Sequence, residues 1–253
     1  MTAAERRKRL RDYIDMHGEA TLKEIQEICG GCSSMTLWRD LKQFEEEGYI
    51  MRLRGGVVAV NHVQAKTEGL YSIRANTNRA AKNIIAKKAL ELISPDTSIF
   101  MDSGSTVMAL AEQLPNKHYI IVTSGANISI RLSQNSLCEV MCVGGKISAN
   151  TLSFSGPQAE AFLDELNINV AVMAASGYSK ESGFTCGSYT EAQLKKKVIS
   201  KASKKIMLID TSKIGNVFPF TFATDTDMDI IVTEVQPEKA ASEGWFCKEI
   251  KLL

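Results

Sequence analysis

Two kinds of segment in this 253-residue chain carry residues able to do chemistry. The first is Asp102-Ser103-Gly104-Ser105-Thr106, where one carboxylate, three hydroxyls and a run of backbone N–H groups fall between an apolar run and a helical pattern. Small polar residues at a strand-to-helix turn suit an anion, because free N–H groups at a helix start attract phosphate. Similar exits recur at Thr123-Ser124-Gly125-Ala126-Asn127, Gly144-Gly145-Lys146, Ser176-Gly177 and Asp210-Thr211-Ser212-Lys213. Any one alone is an ordinary serine-rich turn. Five on one rim predict a binding site in which Lys213 supplies positive charge and Asp102 and Asp210 hold hydroxyl groups. The second kind is basic: Arg6, Arg7, Lys8, Arg9 and Arg11, then Arg39 and Lys42, then Arg52 and Arg54. Residues 1–60 hold ten Lys/Arg against ten Asp/Glu, and the whole chain carries a formal +1. Only a sorted basic face, not net charge, could therefore neutralise phosphates.

Other chemistries find no support. Cys29-Gly30-Gly31-Cys32 has the spacing of half a zinc or redox site, but no second close pair or His pair completes it. Both cysteines also fall where a helical corner buries small apolar residues. The six cysteines are scattered through a chain large enough to need no disulfides, so reduced thiols are expected. His17, His62 and His118 stand apart, and no nucleotide-binding glycine motif or metal cluster is legible. No cofactor is expected. No long uncharged apolar run and no signal-peptide pattern occurs, which reads as a cytoplasmic protein.

The elements that must position these residues differ along the chain. Leu10, Tyr13 and Ile14 predict a helix from Ala4 to His17, ending at Gly18. Thr21 and Glu24 form a capping box for a second helix with Leu22, Ile25 and Ile28 inward, which two glycines stop. Ser33 caps a third helix whose Leu37, Leu41 and Phe44 face inward. Ser34, Met35, Trp38, Arg39 and Lys42 are left outside. Arg52 and Arg54 lie on a strand that turns at Gly55-Gly56 and returns as Val57-Val58-Ala59-Val60, a two-stranded wing. This is the order of a winged helix-turn-helix that docks its third helix in a DNA groove. Arg39 can grip a guanine edge or a phosphate, Arg6, Arg7, Ser33, Ser34, Thr36 and Lys42 are candidate backbone contacts, and the wing with Arg52 and Arg54 can reach a phosphate or the minor groove. Trp38 either packs on a neighbouring element or lies against sugar and thymine methyl groups.

Residues 61–75 are weakly patterned and read as a linker. Beyond them a helix from Ala80 turns Ile84, Ile85, Ala89, Leu92 and Ile93 inward. Apolar strands then alternate with helices: strands at 98–101, 119–123, 139–143, 170–175, 205–209 and 230–233, helices at 105–114, 128–133, 158–166 and 191–203. That alternation predicts an α/β domain with a mostly parallel sheet covered on both faces, binding ligands at the carboxyl ends of its strands.

The N-terminal segment resembles the DeoR family of bacterial transcriptional regulators. The resemblance rests on Glu5-Arg6-Arg7 and on Gly31, Ser33, Thr36, Arg39, Asp40, Leu41, Gly48, Arg52, Gly55 and Gly56. Trp38 replaces the first Arg of a usual pair, and Arg54 replaces a usual His. The likeness continues through Asp102–Thr106, Thr123, Ser124, Asn127, Gly144, Gly145, Gly156, Gly177, Gly183 and Asp210–Lys213, which look like that family's sensor domain, similar in fold to ribose-5-phosphate isomerase. Asn169, Gly125 and Glu234 depart from the pattern.

The resemblance implies a homo-oligomer, dimeric or tetrameric, that represses carbohydrate catabolic genes on double-stranded operator DNA and is released by a phosphorylated sugar. The expected effector residues are Asp102, Ser103, Gly104, Ser105, Thr106, Thr123, Ser124, Gly145 and Lys213. The expected layout is 1–60 for the DNA-binding domain, 61–75 for the linker and 76–253 for sensing and oligomerisation. Two other readings make different demands on the chain. A sugar-phosphate isomerase with an accessory DNA-binding domain needs a base and a donor; Glu139, Glu181 and Lys146 do not form the isomerase pattern. A ligand-blind DNA-binding protein needs no intact phosphate loop.

Overall fold

The computed structural model describes residues 2–53, 55–59, 70–247 and 251–253. It divides into two compact units, Met1–Thr77 and Asn78–Leu253.

In the N-terminal unit, helix α1 (Ala3–His17) starts at a Thr2–Glu5 capping box and stops at Gly18, whose left-handed backbone ends the helix without steric cost. Strand β1 (Glu19–Thr21) leads to α2 (Leu22–Ile28), which opens on the expected Thr21–Glu24 box. Helix α3 (Ser34–Glu46) follows the glycine corner, and β2 (Ile50–Leu53) and β3 (Gly56–Ala59) form the wing. The wing sheet has three strands in the order β1-β3-β2, not the two expected. Glu19–Thr21 is too short to show strand periodicity, and its pairing with Gly56–Val58 is a tertiary event. Leu10, Ile14, Ile25, Leu37, Leu41, Phe44, Ile50 and Val57 make one core. Helix α4 (Tyr71–Asn76) begins within the 61–75 linker and runs one residue past it.

The second unit begins with α5 (Arg79–Leu90), which buries Ile85, Ala86 and Ala89 but leaves Ile84 44% exposed, against the inward position expected of it. Then come β4 (Ser98–Met101), α6 (Ser105–Gln113), β5 (Tyr119–Thr123), α7 (Ala126–Leu132) and β6 (Cys138–Cys142). A hairpin, β7 (Lys146–Ile147) and β8 (Phe154–Ser155), precedes α8 (Pro157–Asp164) and β9 (Ile168–Ala174). Strands β10 (Gly177–Ser179) and β11 (Gly183–Cys186), helix α9 (Tyr189–Lys201) and β12 (Ala202–Leu208) follow. The described chain finishes with β13 (Phe220–Ala223), β14 (Ile230–Val232), α10 (Pro237–Ser242) and β15 (Lys251–Leu252).

The main sheet is seven-stranded, in the order β15-β14-β12-β9-β4-β5-β6, and its neighbours pair in parallel. Its strands alternate between two cores. Phe100, Val122, Ala171, Met173, Met207 and Ile231 pack on one face, while Ile99, Met101, Ile121, Val170, Val172, Ile206 and Leu208 pack on the other. Both faces are covered, as uninterrupted apolar strands require. The short strands β10, β11 and β13 form a separate antiparallel sheet that the sequence reading missed. Among the described residues no helix is long and apolar enough to cross a membrane, and no cluster of His, Cys, Asp and Glu suits a metal ion.

Candidate functional site

The third helix is built as its sequence implies. Ser33 Oγ accepts the Thr36 N–H at 3.3 Å and meets Thr36 Oγ1 at 2.9 Å, satisfying donors at the helix start. Leu37, Leu41 and Phe44 are buried, which turns Ser34, Met35, Trp38, Arg39 and Lys42 outward. The basic residues are less free than their clustering suggests. Arg6 is buried, and its Nε donates to Asp40 Oδ2 at 2.5 Å. Asp40 falls on the inward face of α3, where an unpaired carboxylate would be costly, so α1 supplies the partner. This removes Arg6 from the outward set. Arg7 stands 3.7 Å from Asp40 and donates to Gln43. Lys42 pairs with Glu46 at 3.7 Å. Arg52 pairs with Glu45 at 3.0 Å while its guanidinium lies 5.1 Å over the Trp38 ring. Arg39 is exposed and makes no ion pair among the described residues. Arg54 lies outside the described residues. Cys29 packs in the core beside Cys32; burial, then the neighbouring Cys32, pushes its thiol up to about 12, so it is protonated at neutral pH.

In the second unit the strand exits lie on one rim, at the carboxyl ends of β4, β5, β6, β9 and β12. Asp102 is not open to a ligand, contrary to the expectation that it holds a hydroxyl. Its Oδ1 accepts the Ser103 N–H at 2.9 Å and the Ser124 hydroxyl at 3.4 Å. Its Oδ2 accepts the Ala174 N–H at 3.0 Å and the Lys195 ammonium. Lys195 also donates to Ala174 O at 3.0 Å, under the Phe222 ring. Burial pulls the Lys195 pKa down, but Asp102 and then Glu191 outweigh it and raise it, so the buried ammonium stays charged. Glu191 Oε1 in turn accepts the Ser103 hydroxyl at 3.2 Å. Thr123 is likewise structural: its hydroxyl donates to Met101 O at 2.6 Å and accepts the Gly125 N–H at 2.9 Å.

Held by this network, the loop presents Gly104, Ser105 and Thr106 at the start of α6. No side chain caps that helix. Gly104 leans on β9 so closely that a Cβ there would meet Ala174 Cβ at 2.5 Å, which explains its glycine. Two neighbouring exits carry buried polar atoms with no partner among the described residues: both amide atoms of Asn127, and Asp210 Oδ2. Asp210 Oδ1 accepts Asn78 Nδ2 at 3.3 Å and Ser212 N at 3.2 Å. Strand β9 alone separates β4 from β12, which sets the Asp210–Lys213 turn about 10 Å across the rim from the α6 loop. Lys213 is half-buried on that turn. Gly145 holds φ +90° against Ser155 O, and beyond it Lys146, Ser148, Asn150, Ser155, Ser188 and Thr190 line a cavity of about 330 Å³.

Lys195 and Glu191 were missed from sequence. Both fall at i and i+4 on the stripe of α9 that buries Ala192, Leu194 and Val198, a charged pair inside an apolar period. That is the signal that marks them. Asn169 and Glu234, where the sequence departs from the family pattern, serve the fold. Asn169 Oδ1 accepts the Ser98 N–H at 3.0 Å, and Glu234 accepts the Thr211 N–H at 3.1 Å.

The family models for a DeoR-like helix-turn-helix domain and for the DeoR C terminal sensor domain match residues 6–63 and 77–235. An uncharacterized HTH-type transcriptional regulator of Haemophilus influenzae is 30% identical over 92% of this chain and 90% of its own length. The HTH-type transcriptional regulator GlpR of Haloferax volcanii is 29% identical over 92% and 91%, and the HTH-type transcriptional repressor GlcR of Bacillus subtilis 28% over 95% and 92%. Among solved structures, ribose 5-phosphate isomerase A of Methanocaldococcus jannaschii is similar at a TM-score of 0.41 and 18% identity, over 55% of this chain and 56% of that one. The three curated relatives named here are all transcriptional regulators or repressors. With both family models in register and a full-length relative at 30% identity, the chain belongs to the DeoR family of transcriptional regulators.

Proposed function

We propose that the protein represses carbohydrate catabolic genes from operator DNA and is released when a phosphorylated sugar binds the rim of its parallel sheet. Residues 1–60 serve as the DNA-binding head, 61–75 as its link, and 76–253 as the sensing and oligomerising part, working in the cytoplasm where the DNA is. Two heads of a dimer or tetramer engage repeated half-sites. Arg39 faces the groove, with Ser33, Ser34, Thr36, Trp38, Lys42, Arg7, Arg52 and Arg54 around it; Arg6 orients α1 against α3 through Asp40.

One observation carries the effector half: an uncapped helix start beside buried polar atoms that lack partners. Buried polar groups in a folded protein are almost always satisfied, so orphans on a ligand rim mark where a ligand completes the set. The phosphate takes the Gly104–Thr106 N–H groups, with Lys213 opposite, and the Asn127 amide and Asp210 Oδ2 receive sugar hydroxyls. Ser103, Thr123, Ser124 and Asp102 shape the loop, and Gly145 admits the ligand beside the hairpin. The coupling is reciprocal: DNA weakens effector binding by the factor by which effector weakens DNA binding.

The test is fluorescence anisotropy of the protein on DNA from upstream of its own gene, with competitor DNA and a panel of sugar phosphates. Competitor-resistant binding relieved by one phosphate is expected. Specific binding that no phosphate alters would remove the effector half.

A further inference from the structure

The outer face of α3 is unusually apolar for a helix surrounded by charge. Met35 is 77% exposed and Trp38 45% exposed. At about 100° per residue, Met35, Arg39 and Lys42 lie within about 60° of one another on the side opposite Leu37, Leu41 and Phe44, and Trp38 flanks them. Trp38 is not loose. The Arg52 guanidinium from the wing covers part of its ring at 5.1 Å and is itself held by Glu45 at 3.0 Å, which fixes the indole with the rest of its surface open. Arg39, which makes no ion pair among the described residues, stands beside these two large apolar side chains, with Lys42 and Arg52 held by Glu46 and Glu45 at the edge, and the combination matches a polyanion that also offers apolar groups. In the major groove of duplex DNA that group is the C5-methyl of thymine.

Resting on the DNA-binding reading above, we propose that Met35 and Trp38 are specificity-determining residues that read thymine methyl groups. Arg52 acts as a positioning residue, holding the indole through its stack and through Glu45. An arginine pair selects hydrogen-bond acceptors, chiefly guanine; here one partner is an indole. The operator is therefore selected in part by burial of methyl groups between Met35 and Trp38, beside whatever Arg39 reads.

The experiment uses the full chain. Duplexes are selected from a random pool, and the best binder is resynthesised with uracil replacing thymine one position at a time. Uracil keeps every hydrogen-bonding edge of thymine and lacks only the methyl. Wild-type protein should lose about fourfold in affinity at one or more positions in each half-site, the fold-change of one buried methyl group. In Met35→Ala/Trp38→Ala the thymine-to-uracil ratio should fall to about one, with unchanged circular dichroism. Trp38→Phe, which keeps an aromatic face for Arg52, should retain sensitivity. Arg52→Gln should weaken the uracil effect without abolishing specific binding.

Selection that yields a specific site at which uracil and thymine bind wild-type protein equally overturns this inference and leaves the DNA-binding reading standing. Selection that enriches no sequence overturns both. Methyl sensitivity that survives intact in the double variant assigns the readout elsewhere and also overturns the inference.

Discussion

Replacing Lys195 by Met tests whether the charged network under the α6 loop holds the sensor together. The ammonium and the Asp102 carboxylate are each almost fully enclosed, with side chains 6% and 2% exposed. Removing one member of a buried pair typically costs about 3–5 kcal/mol, because the survivor keeps its desolvation penalty. Asp102 would retain three donors, Ser103 N, Ala174 N and Ser124 Oγ, which places the loss near the lower end, about 3 kcal/mol. In a unit of this size that corresponds to roughly 6–12 °C in melting temperature. Adding Asp102→Asn neutralises the stranded charge, so the double variant should be more stable than the sum of the single losses predicts, by about 0.5–3 kcal/mol. The assay is urea denaturation at neutral pH in a Trp38→Phe background. Trp245 then reports the second unit alone. Because the Lys195 pKa is raised above its ordinary 10.5, the contribution tied to that shift is complete below pH 10.5 and is lost only as pH climbs through the still higher folded value. The gap between wild type and Lys195→Met should therefore stay constant around neutrality. A single-variant loss under about 1 kcal/mol, or strictly additive losses in the double variant, would refute the reasoning.

Gly104→Ala brings a methyl to 2.5 Å from Ala174 Cβ and should cost about 1–3 kcal/mol of effector binding through displacement of the loop, read by calorimetry, while DNA affinity without effector stays unchanged. Arg39→Ala should lose about 1–3 kcal/mol of operator affinity if it reads a base, or lower the salt slope by about one if it holds phosphate; an unchanged affinity and slope would take it out of the interface. Arg6→Met should behave differently. It leaves Asp40 with Arg7, 3.7 Å away, as its one remaining cation, so it should destabilise the first unit by about 3 kcal/mol in thermal unfolding and leave the salt slope alone. The His118 ring, hydrogen-bonded to Asp96 at 2.9 Å and also near Glu139, should titrate above 6.5 by NMR, and Asp96→Asn should bring the midpoint down. Whatever stability that shift lends is present below pH 6.5 and disappears as pH rises through the folded value.

Local rules were legible in the chain itself. The Thr21–Glu24 box, the Ser33 cap and the Leu37, Leu41, Phe44 stripe follow from hydrogen bonds and periods spanning a few residues, and the structure has each of them. Strands β4 and β5 have the bounds their apolar runs suggest, since a strand buried on both faces is an uninterrupted run. What long-range packing decides was not legible. Glu19–Thr21 becomes a strand only because β3 lies beside it, and Gly177–Ser179, Gly183–Cys186 and Phe220–Ala223 become a sheet only together. The charged residues show the same division most sharply. Composition places Arg6 with the surface cations and Asp102 with the ligand's partners, yet each is spent on a partner 34 or 93 residues away. A charge's role depends on what faces it across the fold, and that information exists only once distant segments have met.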